Sequence, residues 1–188
     1  VSAAELTFDA DTHVYRYGGR VVPSVTQVLD ILNDFSDVHP ERLEAARLRG
    51  QHVHAMIDLD NRGELDEESL DEGLRPYLTQ WRLFLHESKF TVTASEQRVF
   101  HPSLHYAGTC DCLLGQGTSW VLDVKTGAIP RSVGAQLAAY QQALDPRPRR
   151  RLCLALTADN YRLHECKGLS DFVLFQSCLH IWRYKNAA

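Results

Sequence analysis

The chain has 188 residues, of which 44% are hydrophobic and 23% charged, enough to bury one ordinary core and too few for a second full domain. A formal net charge of −4 and a pI near 6.1 argue against a protein that coats nucleic acid nonspecifically, so any such contact must be local. No stretch approaches the roughly 18 consecutive apolar residues of a membrane span, residues 1–6 lack the layout of a secretion signal, and Cys110, Cys112, Cys153, Cys166 and Cys178 are odd in number and set in apolar surroundings. These features lead to the expectation of reduced core thiols in a soluble, intracellular protein with no membrane partner.

In chain order, Leu6 to Phe8 and His13 to Tyr17 read as short strands, with Gly18-Gly19 as a hairpin turn before Val21-Val22. Ser24 caps a short helix with Val25, Val28 and Leu29 on one face, and Pro40 opens a longer helix to about Asn61 whose apolar residues include Leu43, Val53, Met56 and Ile57. A third helix is predicted from about Asp66 to Ser88, bent near Pro76, with Trp81, Leu83 and Phe84 on its apolar half. After Lys89 the period changes to two. Phe90 to Val99, Tyr106 to Leu114 and Ser119 to Lys125 are predicted as an antiparallel meander. Ser132 to Leu144 then reads as an amphipathic helix, Arg151 to Thr157 and Tyr161 to Cys166 as strands, and Ser170 to Tyr184 as a closing helix. The sequence contains no internal repeat, so a single domain over 1–188 is expected, with an N-terminal hairpin and helix (1–39), a core (40–166) and a C-terminal helix (167–188).

The chemistry-bearing residues fall within about thirty positions. Side chains at i and i+2 of a strand share a face, so Asp123 and Lys125 project together at the end of the apolar run Trp120-Val121-Leu122. A carboxylate emerging there must be paired or bind metal, although an ordinary strand-end salt bridge would leave the same triplet. The Gly115-Gln116-Gly117 turn can bring Asp111 alongside it. Two carboxylates and a lysine are what a metal-dependent phosphodiesterase needs. Hard oxygen ligands favour Mg²⁺ or Mn²⁺, and no cysteine pair has zinc-ligand spacing. On the Pro40 helix, Gly50 and His54 lie four apart on one face, with close approach of another backbone as a reason for the glycine and a metal within reach of the imidazole. Arg147, Arg149, Arg150 and Arg151 form the densest basic run, and Arg42, Arg47 and Arg49 a second; each is a phosphate contact or a solvated face.

Together these residues resemble the PD-(D/E)XK nuclease superfamily in its RecB-like branch. Gly50 to His54 resembles that branch's Gly-x-x-x-His helix, Gly108 to Asp111 its Gly-x-x-Asp strand, Asp123-Val124-Lys125 its Asp-x-Lys strand, and Gln136 to Tyr140 its Gln-x-x-x-Tyr helix. More narrowly, Pro23 to Leu29 together with these motifs is similar to the mitochondrial genome maintenance exonuclease and to small phage exonucleases. The resemblance implies an α/β fold with a restriction-endonuclease-like core, a central mixed sheet flanked by helices, carrying an N-terminal hairpin and a helical insertion. It implies that His54, Asp111, Asp123 and the Val124 carbonyl hold Mg²⁺ or Mn²⁺, that Lys125 orients water or stabilises the transition state, and that Gln136 and Tyr140 contact the scissile strand or brace Lys125. Glu96 resembles an accessory acid of some members, or is a solvent-facing strand residue. Arg49, Arg149, Arg150 and Arg151 are the expected DNA contacts.

Relatives with an iron–sulfur cluster use one early and three late cysteines. Here none precedes Cys110, and Cys153, Cys166 and Cys178 are too widely spaced, so no cluster is expected. The implied function is exonuclease action on free DNA ends in recombination, repair or end processing, in a bacterial or phage-infected cytoplasm, or in an organelle if an upstream segment was removed. A recombination or single-strand-binding protein is an implied partner. The alternatives are a structure-specific or restriction-type endonuclease and an inactive nucleic-acid-binding module.

Overall fold

In the computed structural model, which describes residues 5–33 and 38–187, two sheets share the chain. The first is an antiparallel meander of β1 (Leu6–Asp9), β2 (Val14–Tyr17) and β3 (Arg20–Val22). Gly18 and Gly19 make its second turn with φ of 55° and 78°, the left-handed pair that a two-residue hairpin needs. Ser24 then caps α1 (Val25–Leu29) through a complete capping box with Gln27, which satisfies two orphan backbone donors reciprocally. A 3₁₀ turn over Asp30–Leu32 follows.

Helix α2 (Pro40–Arg62) starts on its proline and stops at Gly63, whose φ is 70°. Helix α3 spans Arg75–Ser88, not 66–88. The side chains of Asp66 and Asp71 accept the backbone N–H groups of Glu68 (3.1 Å) and Gly73 (2.7 Å), folding that stretch into turns that compete with a helix. Pro76 sits in the first helical turn, where its missing N–H costs nothing, so it starts the helix instead of bending it. Leu43 and Leu83, expected on buried faces, are exposed. Among the described residues, no helix is long and apolar enough to cross a membrane.

The second sheet has the order β4 (Thr91–His101), β5 (Tyr106–Gly115), β6 (Ser119–Lys125), β7 (Arg150–Leu156), β8 (Tyr161–Glu165). Neighbours are antiparallel except β6 and β7, which run parallel because α4 (Val133–Ala143) carries the chain back between them. Helix α5 (Asp171–Lys185) closes the chain. The result is a mixed α/β architecture with helices on both faces of the sheet.

Two apolar clusters sandwich this sheet. One joins α1, α4 and α5 through Val25, Leu137, Tyr140 and Phe175; the other joins α2 and α3 through Val53, Met56, Trp81 and Phe84. Along β5, Tyr106 and Cys110 belong to the first cluster, but Cys112 and Leu114 belong to the second. The β4–β5 pair therefore turns over at Asp111. Across from it, Glu96 has a φ of 47°, a conformation that costs a non-glycine residue about 1 kcal/mol or more and persists only where the surroundings enforce it.

The arginine run leads into the start of β7, opposite the start of β6. Arg150 pairs with Trp120 in register, whereas Asp123 pairs with Cys153, so at about 3.3 Å per residue Arg150 lies roughly 10 Å along the sheet from the carboxylates. Arg151 is buried, bridging to Asp171 at 2.9 Å and donating to the carbonyls of Gly134 and Gly168. Arg150 is held by Glu165 and lies 4.2 Å over the Trp120 ring. The Arg151 donors are thus engaged within the fold, whereas Arg150, with its side chain 43% exposed, meets Glu165 through Nε and Nη2.

Candidate functional site

Where β5 and β6 part, the backbone ladder ends at Cys112–Leu122. One step further along, Asp111 inserts its carboxylate in place of the next ladder bond, and its Oδ2 accepts the Val124 N–H at 2.6 Å. The Val124 carbonyl meets His54 Nε2 at 2.9 Å, and His54 Nδ1 lies 3.4 Å from Asp111 Oδ1. Helix α2 thus reaches the strand ends through the His54 imidazole, and Asn61 Nδ2 donates to Cys112 Sγ at 3.5 Å. Oxygen and nitrogen atoms of His54, Glu96 and Asp111 lie within 4.8 Å of one another. Glu96, on β4 at the register position facing Asp111, completes this group from an exposed position.

A second group adjoins it. Asp123 is 1% exposed, as the apolar strand leading to it requires. Its Oδ1 accepts from Lys125 Nζ at 3.0 Å and from Gln136 Nε2 at 2.8 Å, while the Gln136 Oε1 accepts from Lys125 at 3.2 Å. Gln136 also donates to the Tyr140 hydroxyl, one turn along α4, at 3.3 Å. The remaining oxygen, Asp123 Oδ2, is 2.9 Å from the Lys125 ammonium but has no aligned hydrogen bond. A buried carboxylate oxygen with only a nearby charge for company is a ligand position for a cation.

Charge crowding sets the protonation of these groups. Burial, aided by Asp111, pushes Asp123 up to about 6 against the pull of Lys125. Glu96 is raised to about 7 by the shielding cleft walls and by Asp111. Burial alone would lower His54, but Asp111 outweighs it and holds the imidazole at about 9. Lys125 is raised in the same way, with Asp123 and Asp111 prevailing over burial. Asp111 moves down, since His54 and Lys125 overcome its burial. In the absence of metal, protonated His54 therefore acts as the cation between Asp111 and the Val124 carbonyl.

The two groups share a cleft of about 690 Å³. Its walls include Arg47, Gly50, Asp58, Ser24 and Thr109, and His13 and Tyr15 from the first sheet. Sequence spacing could have found Asp58, four residues beyond His54. Nothing local marks Tyr15, whose hydroxyl reaches Thr109 at 2.8 Å only because the first sheet docks there. Arg49 is exposed and absent from the wall, one residue round the helix from Gly50. Among the described residues, no backbone from another element crowds Gly50: a Cβ would meet Thr126 Oγ1 at an ordinary 3.6 Å, so the glycine keeps the cleft wall low. Gly108 is the position of close approach, because a Cβ there would lie 2.7 Å from the Tyr140 ring.

No family model and no curated protein matches the chain. Among solved structures, the alkaline exonuclease LHK-Exo from Laribacter hongkongensis is similar at 10% identity, covering 86% of each chain with a TM-score of 0.44. The complex of LHK-Exo with dAMP is similar at 13% identity, covering 87% of each chain with a TM-score of 0.44. SSO0001 is similar at 13% identity over 60% of this chain, which spans 58% of that protein, with a TM-score of 0.38. These likenesses carry nothing about chemistry; what the site can do follows from its own residues.

Proposed function

We propose that this chain is a metal-dependent deoxyribonuclease of the PD-(D/E)XK superfamily, RecB-like branch, formed by one domain over 1–188 and hydrolysing phosphodiester bonds from free DNA ends in recombination, repair or end processing. The observation that carries this reading is the meeting of His54, Glu96 and Asp111 with the Asp123–Lys125–Gln136 network in one cleft. Asp111, Asp123, His54 and the Val124 carbonyl hold Mg²⁺ or Mn²⁺, with Glu96 as an accessory acid; the unsatisfied Asp123 Oδ2 and the convergence of hard oxygen donors fit such an ion. When bound, the ion supplies an acidified water and offsets charge on the phosphate.

The protein's own contribution is positioning and charge. Lys125, kept cationic by two carboxylates, donates to a non-bridging phosphate oxygen and stabilises the charge that builds in the pentavalent transition state. Asp123 and Gln136 fix the ammonium from two sides, so little reorganisation is needed during reaction. Tyr140 steadies Gln136 and packs against Gly108.

The test is Mn²⁺-dependent degradation of end-labelled linear DNA by the purified protein, with and without EDTA. Activity should stop reversibly with EDTA, and Lys125→Ala should lose at least about a hundredfold, as expected for removal of an electrostatic stabiliser, with an unchanged circular dichroism spectrum. Full activity in the metal-stripped protein or in Lys125→Ala would overturn the reading.

A further inference from the structure

We propose that the edge of the N-terminal sheet at the cleft mouth is a docking subsite for single-stranded DNA, with Arg98 holding a backbone phosphate and His13 receiving an unpaired base. The direction of the strand, leading into the cleft, rests on the nuclease reading above. Phe8 and Tyr15 are register partners on β1 and β2, with ring centroids 4.5 Å apart. His13 stands edge-on to both, at 5.1 and 6.0 Å. It is exposed, lines the cleft, and has a φ of 53°, so an imidazole is held at the mouth in a backbone conformation that histidine rarely adopts.

Arg98 reaches the Phe8 ring from β4. Its guanidinium carbon lies 5.5 Å from the Phe8 centroid, and its residue pairs in register with Thr109, the partner of the Tyr15 hydroxyl. Arg47, Arg62, Arg82, Arg150 and Arg151 each bond a carboxylate within 4.0 Å. Among the described residues, Arg98 forms no such pair. Asp9 Oδ1 accepts from the Asp11 and Thr12 N–H groups at 3.1 Å, and Glu96, though it feels the Arg98 charge, lies in the acid group with Asp111 and His54. An arginine oriented by stacking, exposed and with its donors uncommitted, suits a phosphate. Beside it, an aromatic ring at a cleft mouth can stack on a base only when that base is free of its partner strand.

The experiment is fluorescence anisotropy with a fluorescein-labelled oligothymidylate, in EDTA so that nothing is cleaved, over a salt series. The proteins are wild type, Arg98→Ala, Arg98→Lys, His13→Ala and, as a control beside β8 at the opposite edge of the sheet from β4, Lys167→Ala, each checked by thermal melting. Arg98→Ala should weaken binding about tenfold and flatten the log–log salt slope by about 0.7, the value for one phosphate contact on a single strand. Arg98→Lys should keep the slope while losing part of the affinity, and His13→Ala should weaken binding about tenfold without changing the slope. Lys167→Ala should match wild type. An unchanged slope and affinity in Arg98→Ala, or tighter binding of a blunt duplex that neither variant affects, overturns the subsite and leaves the nuclease reading standing. Hydrolysis of bis(p-nitrophenyl) phosphate by the wild type with Mn²⁺ tests that reading separately; a wild type that neither turns over this ester nor binds the strand removes both.

Discussion

Asp123 and Lys125 are neighbours by strand geometry, but the enclosure of the aspartate gives the pair an unequal character. At neutral pH the site holds carboxylates at Asp111 and Asp123 and a Glu96 that titrates near 7, against His54 and Lys125. A folded-state value of about 6 for Asp123, against its ordinary 3.8, means that its negative charge destabilises the metal-free fold. Asp123→Asn retains an acceptor for Lys125 and Gln136 and removes that charge. It should raise the metal-free stability by on the order of 1 kcal/mol in urea denaturation while abolishing cleavage. A loss of stability would refute this account of the crowding. The pH dependence has a defined sign. Glu96 and His54 both bind protons more tightly folded than unfolded, so their stabilisation is full below their ordinary values of 4.5 and 6.5 and is lost as pH rises through about 7 and about 9. Metal must displace the same protons. The melting temperature of the metal-free protein should therefore fall between about pH 6 and 9, while the increment on adding Mn²⁺ grows; a constant increment would exclude these groups as ligands.

At the scale of elements, the parallel β6–β7 junction depends on an internal strut. Arg151 ties β7 to the start of α4 through the Gly134 carbonyl and to α5 through Asp171 and the Gly168 carbonyl. Gly134 leaves room for this carboxylate, since a Cβ there would come within 2.7 Å of Asp171 Oδ2. Arg151→Ala strands one acid and two acceptors and should cost about 2–4 kcal/mol in chemical denaturation, with no change in the salt dependence of DNA binding. A stable variant with a flattened salt slope would restore Arg151 as a phosphate contact. Because α4 also carries Gln136 and Tyr140, the strut holds the face that braces Lys125.

For the whole molecule, the reacting groups lie where the five-stranded sheet, α2, α4 and the first sheet meet. With the first sheet and α2 walling the cleft from two sides, we expect an end to be accepted more readily than the middle of a duplex. Linear DNA should disappear under conditions in which a covalently closed circle persists. Linearisation of the circle at a comparable rate would favour the endonuclease alternative and leave the metal site untouched.

Much of this was legible in the chain, and the division follows from the range of the forces involved. The bounds of α2, β6, α4 and β8 lay close to expectation because caps, prolines and the periods of 3.6 and 2 are local signals. The same short-range geometry paired Asp123 with Lys125 and Gln136 with Tyr140. Local signals misled at 66–74, where aspartates that could cap a helix fold turns instead. Other features required distant segments to meet. The left-handed Glu96 at the turnover of the β4–β5 pair, the docking of Tyr15 on Thr109, the stacking of Arg98 on Phe8 and the burial of Arg151 each join residues far apart in sequence or depend on a twist accumulated along two long strands. Spacing along the chain determined which side chains could act together; packing of the sheets and helices decided which of them face the cleft and which are consumed in holding it.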